Sequence, residues 1–176
     1  MMRHVLVFAG LLVCLATSAA AQDKARSAVM TLAKGGQITI EFFPADAPKT
    51  VENFVALIRK GFYDGQRFHR VEPGFVAQIG DPQSKTLPMD HPSMGTGGSG
   101  QNVKAEFNSR KFERGVLGMA RGDDPDSASS QIYIMLGDAP SLNGKYTAFG
   151  RVVKGMDVVD KIRVGDRVKS VKIAGN

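Results

Sequence analysis

Between Ser27 and Ile173 the chain is cut every few residues into short β-type runs, and this punctuation narrows the available folds more than any other feature. "SAVMTLAKGGQITIEFFP" holds two such runs around a Gly-Gly turn, which predicts a hairpin. "RFHRV" and "FVAQI" flank Pro73-Gly74, and "VKAEF", "GVLGMAR", "QIYIML", "YTAFGRVV" and "RVKSVKI" extend the pattern. Only two stretches read as helix. In "APKTVENFVALIRKG", Val51, Phe54, Val55 and Ile58 fall on one helical face, with Pro48 near the start and Gly61 as a stop. "GMDVVDKI" is the second and shorter helix. Many short strands with two helices predict a closed all-β barrel or a sandwich, and periodicity does not choose between them. Residues 81–102 form the longest irregular stretch, a kind of loop that is usually functional or mobile in a compact domain.

The first residues set the expected compartment. "MMRH" is a short basic start, "VLVFAGLLVCLATSA" an apolar core, and Ala19 and Ala21 are small residues at a cleavage position, the layout of a secretory leader. The apolar run is shorter than the ~20 residues that span a bilayer, which disfavours an anchor. Val13 before Cys14 disfavours lipidation. Cleavage is expected after Ala21, giving an exported chain over residues 22–176, in the periplasm or, as the alternative, secreted, a single domain of 176 − 21 = 155 residues. That cut removes Cys14, the only cysteine, and with it disulfides, thiolate zinc sites and thiol catalysis. No later segment is apolar enough to insert in a membrane. The net charge of +6 is scattered among acids rather than gathered in a block, so nucleic acid is not an expected partner and the basic surface is read as solvated. A monomer is expected.

Several chemical motifs fail on their own terms. "GTGGSG" has no Lys-Ser/Thr after it and opens no helix, so it reads as a flexible turn rather than a phosphate cradle. His91 in "MDHPSM" lacks the three or four ligands of a metal site. The serines of "DPDSASSQ" come with no nucleophile-elbow pattern, so they read as turn residues. What remains is "FHRVEPGFVAQIGD", an apolar run that nevertheless carries Arg70 and Gln78.

That run resembles the signature of the cyclophilin-type peptidyl-prolyl cis/trans isomerases, and "MAR…SASSQIYI" and "LNGKYTAFGRV" resemble the family's next two blocks in the same order. The resemblance extends from about Val29 to Ile173, and the leader and the "GDAPSLNGKYTAFGRVV" style are similar to exported bacterial members. It implies a mainly β fold, a closed eight-stranded antiparallel β-barrel capped by two α-helices, with the binding groove on the outer wall. It also implies an isomerase acting on X-Pro bonds of exported proteins during folding, with proline-containing polypeptides as partners and no metal or cofactor.

Carried over residue by residue, Arg70 matches the catalytic arginine and Gln78 the residue that orients it. Phe75, Val76, Tyr133 and Leu142 match the apolar pocket for the proline ring. Ala120 and Arg121 match positions that bind the substrate backbone ahead of the proline, and Gln131 a polar position on the groove. Tyr146 stands where many members have His. His69 is read as structural. Strict alternation puts Phe75 on the opposite strand face from Val76 and Gln78, so a shared groove requires the chain to be still turning at Phe75.

Some positions depart from the family pattern. Ser141 stands where vertebrate members have Trp, which weakens the expectation of cyclosporin binding; Val76 and Tyr133 replace Met and Phe, and the loop over residues 82–93 is long. Two rival functions fit the sequence less well. A non-catalytic proline-peptide chaperone on the same fold would not need the guanidinium of Arg70, and an envelope-association protein has only the basic charge in its favour.

Overall fold

A computed structural model describes residues 26–174, so the expected leader over residues 1–21 lies outside the described residues. Eight strands, β1 (Ser27–Leu32), β2 (Gln37–Phe42), β3 (Arg70–Glu72), β4 (Val76–Ile79), β5 (Val116–Met119), β6 (Ile132–Met135), β7 (Ala148–Lys154) and β8 (Val168–Ile173), form one sheet. Helix α1 covers Pro48–Arg59 and the short α2 covers Met156–Val159. The spatial order is β3-β4-β6-β5-β7-β2-β1-β8, with every ladder antiparallel.

The barrel expected as closed is instead a curled, open sheet whose edges are β3 and β8. Those edges approach only just ahead of β3, through an Arg67–Arg167 bridge and the backbone bonds Phe68 N to Asp166 O (3.0 Å) and Val168 N to Gln66 O (2.8 Å). β3 has only three residues and pairs with β4 alone, so the two edge strands share no ladder.

A second difference concerns "VKAEF" (residues 103–107), which is not a strand. Its backbone is satisfied by other partners: Val103 N donates to Ala128 O (2.7 Å), Ala105 N to Asp126 Oδ1 (2.9 Å) and Glu106 N to Thr147 Oγ1 (2.9 Å). The Glu106 carboxylate has a task of its own. It accepts from Lys49 N (3.0 Å) and Thr50 N (2.8 Å), the orphan amides of the α1 N-terminus, because Ala47 at the cap has no side chain to do so.

α1 buries Val51, Phe54, Val55, Leu57 and Ile58 against one face of the sheet, the face that carries Ile38, Ile40, Ala77, Ile79, Leu117, Ile132, Ile134 and Phe149. Phe54 is the hub, meeting Phe42 (5.8 Å between centroids) and Phe149 (5.2 Å) edge-on and Tyr63 (5.1 Å) at a tilt. The opposite face of β4, β5 and β6 holds a smaller apolar cluster, taken up below. No helix among the described residues is long and apolar enough to cross a membrane.

Truncating the hub should open a cavity that the curled sheet cannot collapse into. Phe54→Ala is expected to lower unfolding free energy by about 3–5 kcal/mol in urea denaturation, with the helical spacing of its neighbours intact.

Candidate active site

Alternation along the strands builds the site. In β4, Ala77 and Ile79 point into the main core, so Val76 and Gln78 emerge on the other face. In β6, Ile132 and Ile134 point inward, and Tyr133 and Met135 emerge. The outward set forms an apolar cluster of Val76, Phe112, Val116, Tyr133, Met135, Ala139 and Ala148, flanked by half-buried Phe75, Ala120, Leu142 and Tyr146. Tyr133 lies at its centre, with ring centroids 6.0 Å from Phe112 and 6.4 Å from Tyr146.

Phe75 joins this face because the chain turns late. Phe75 N donates to Glu72 O (3.0 Å), closing a tight turn whose Gly74 sits at φ +74, a conformation that favours glycine. Phe75 therefore precedes the first paired residue of β4 and escapes its alternation. Its ring comes to rest beside Arg70, whose guanidinium carbon is 5.7 Å from the ring centroid.

A polar chain runs from a buried carboxylate to that guanidinium. Asp81 is fully buried, and its Oδ2 accepts from Gly95 N (2.6 Å) and Gly97 N (3.2 Å), while its Oδ1 accepts from Gln83 N (2.8 Å). Held in this way, the carbonyls of Gly95 and Gly97 both accept from Gln131 Nε2, each at 2.8 Å. Gln131 Oε1 accepts from Gln78 Nε2 (2.9 Å), and Gln78 Oε1 accepts from Arg70 Nη1 (3.0 Å). Glu72 fixes the other side of the guanidinium, accepting from Nε (3.0 Å) and Nη2 (2.7 Å). Three of the five guanidinium N–H groups are thus engaged, and two stay available to a ligand over the apolar cluster.

The loop read as a flexible turn is therefore a pinned one. A Cβ at Gly97 would collide with Asp81 Oδ1, so this close approach requires glycine. Gly118 has a similar duty, since a Cβ there would strike the ring and hydroxyl of Tyr133 across the β5–β6 ladder.

Arg121 closes the far side of the groove. Its guanidinium stacks on Tyr146 at 4.5 Å and donates to Gly122 O (2.8 Å), Asp123 O (3.1 Å) and Lys145 O (3.2 Å). Leu142 ends the short turn Pro140–Leu142, and exposed Ser141 offers little surface beside it. Each of the ten residues carried over from the family motifs thus lies on this face or its rim. Phe112, Met135 and Asp81 are additions. Phe112 sits alone among charges in "SRKFERG", without periodicity; an acid one glycine past an apolar strand and before Pro82 was the available sign for Asp81.

Two groups at the site carry unmet polar atoms. The Tyr133 hydroxyl is buried without a partner among the described residues, and burial pushes its ionisation well above the ordinary phenol range. Both ring nitrogens of His69 are likewise buried with no hydrogen-bond partner among the described residues. Burial holds this imidazole below its usual range, with Arg70 acting in the same sense against the opposing Asp81 charge.

Comparison with known proteins gives a consistent picture. The family model for "Cyclophilin type peptidyl-prolyl cis-trans isomerase/CLD" matches residues 28–175. A Brucella abortus protein named "Probable peptidyl-prolyl cis-trans isomerase" is 44% identical over 156 residues, covering 87% of this chain and 79% of that one. The Bacillus subtilis peptidyl-prolyl cis-trans isomerase B is 40% identical over 146 residues, covering 82% and 95%. Among solved structures, a Cryptosporidium parvum cyclophilin superposes with a TM-score of 0.75 at 26% identity, covering 86% of this chain and 98% of that one. The same protein in the presence of the dipeptide Ala-Pro gives a TM-score of 0.73 at 27% identity, covering 85% and 99%.

Two stability measurements follow from the unmet groups. Tyr133→Phe removes a hydroxyl that has no partner, and should raise stability by about 1 kcal/mol, seen as a thermal midpoint higher by about 2–4 °C. For His69, a depressed native pKa means that the unfolded chain binds the extra proton first. Its contribution is complete above about pH 6.5 and is lost as pH falls towards the lowered native value. His69→Gln should therefore flatten the decline in urea midpoint below about pH 6.5 relative to the parent chain.

Proposed function

Since this chain belongs to the cyclophilin-type peptidyl-prolyl cis-trans isomerase family, we propose that Arg70 is the group through which it accelerates rotation about X-Pro bonds. Rotation is slow because the nitrogen lone pair is delocalised into the carbonyl, giving a barrier of ~18–20 kcal/mol. As the bond twists, the lone pair localises on the prolyl nitrogen and becomes a hydrogen-bond acceptor. A guanidinium with two uncommitted N–H groups then binds the twisted amide better than either planar form, which is the differential binding that catalysis needs.

The observation that carries this reading is the polar chain from Asp81 to Arg70. The long arginine side chain, 44% exposed, is held by Gln78 on one side and Glu72 on the other, so little reorganisation is needed at the transition state. The proline ring would fill the pocket of Phe75, Val76, Phe112, Tyr133 and Leu142, and the backbone ahead of it would pass Ala120, Arg121 and Gln131. No covalent step is involved.

The chain acts as a monomer on proline-containing segments of exported proteins in the periplasm, after removal of residues 1–21. Family members bind proline-containing peptides, and the neighbour studied with Ala-Pro supports the same ligand class here. Binding alone would not need an oriented guanidinium, which sets the enzyme reading above a purely chaperone-like one. Ser141 leaves the wall beside Leu142 without a large aromatic group, so cyclosporin is expected to bind weakly.

A proline-isomerisation assay on a tetrapeptide tests the proposal. Arg70→Ala should lower kcat/KM by about 10²-fold or more, while equal rates for both proteins would leave a binding module in its place.

A further inference from the structure

Next to the apolar pocket lies a second cavity of about 530 Å³, which shares Gln78, Ala120, Arg121 and Gln131 with the groove. Thr96, Ser127 and Ser129 bring hydroxyl-bearing side chains to its wall, and glycine backbone fills much of the rest. Arg121 is the sole charged residue lining it, and no carboxylate does so.

The charge of Arg121 is oriented but not neutralised. Its hydrogen-bond partners are three backbone carbonyls, and Tyr146 supplies a ring face. Its Nε is buried with no acceptor among the described residues. Arg70, by contrast, is paired with Glu72 at 2.7 Å, whereas Arg121 makes no ion pair among the described residues. Three acids follow it in sequence, but Asp124 and Asp126 direct their carboxylates to the backbone amides of Asp126 and Ala105, and Asp123 does not line the cavity.

We infer that Arg121 selects substrates with an acidic side chain within the two residues ahead of the proline. The direction of the peptide along the groove rests on the isomerase reading above. A residue before proline is held extended, and successive side chains then point to opposite sides. One of the two upstream side chains therefore enters the cavity. A carboxylate there meets the charge of a fixed guanidinium, with one Nη2 N–H not taken by the backbone carbonyls. A lysine in the same place meets uncompensated positive charge.

The test uses peptides that differ only in Glu, Gln or Lys at each of the two upstream positions. Binding is read by NMR titration and isomerisation by exchange spectroscopy, at low and at high salt. At one of the two positions the Glu peptide should bind about three- to tenfold more tightly than the Gln peptide, with Lys weakest. That ratio should shrink between ~0.05 and ~0.5 M salt, a readout that requires no variant. Arg121→Gln should abolish it, and Arg121→Lys should restore part of it. Equal binding of Glu and Gln peptides at both positions, or a preference that survives in Arg121→Gln, overturns the inference. A Glu preference in binding with no isomerisation of any peptide would sustain it while refuting the isomerase reading.

Discussion

The site depends on one buried carboxylate. Asp81 lies two residues past the end of β4 with no exposure to solvent, and it reaches forward to the amides of Gly95 and Gly97. A charge in this position is tolerable only because several N–H groups surround it. Their grip turns an irregular loop into a fixed pair of carbonyls, and those carbonyls set the rotamer of Gln131. Gln131 then sets Gln78, and Gln78 sets Arg70. The guanidinium is on the surface, yet its direction is decided in the interior.

The same economy shapes the apolar half of the groove. One stretch of sheet serves two cores, because alternate residues of β4 and β6 face α1 and the ligand pocket respectively. The pocket is therefore as rigid as the sheet that carries it, which is what positioning a twisted amide requires. Gly118 shows how tightly the two layers are fitted: its missing side chain is the space into which the Tyr133 ring and hydroxyl extend. The price is a hydroxyl with no partner at the pocket floor.

Local features were legible in the sequence, and long-range ones were not. The β1–β2 hairpin, α1 and the turn at Pro73-Gly74 follow from residue type and spacing within a few positions. The apolar wall of Phe75, Val76, Tyr133 and Leu142 was readable through motif resemblance, and the tension over Phe75 is resolved by a turn that closes at that residue. "VKAEF" misled because its alternation looks strand-like, while Glu106 is committed to the amides of a helix 56 residues away in sequence. Asp81 and Gly97 were missed for the same reason, since their contact joins positions 16 residues apart across a loop without periodicity. Whether the sheet closes could not be read either, because it depends on how two edge strands about 100 residues apart in sequence meet.

The central claim is that Asp81 acts on the reaction through Arg70. A double-mutant cycle in kcat/KM tests it, using Asp81→Asn, Arg70→Ala and the combination, each measured on folded protein. If the chain of hydrogen bonds carries the effect, Asp81→Asn lowers the rate in the parent chain but has little further effect once Arg70 is gone. An equal loss in both backgrounds would contradict the account and reduce Asp81 to a loop anchor.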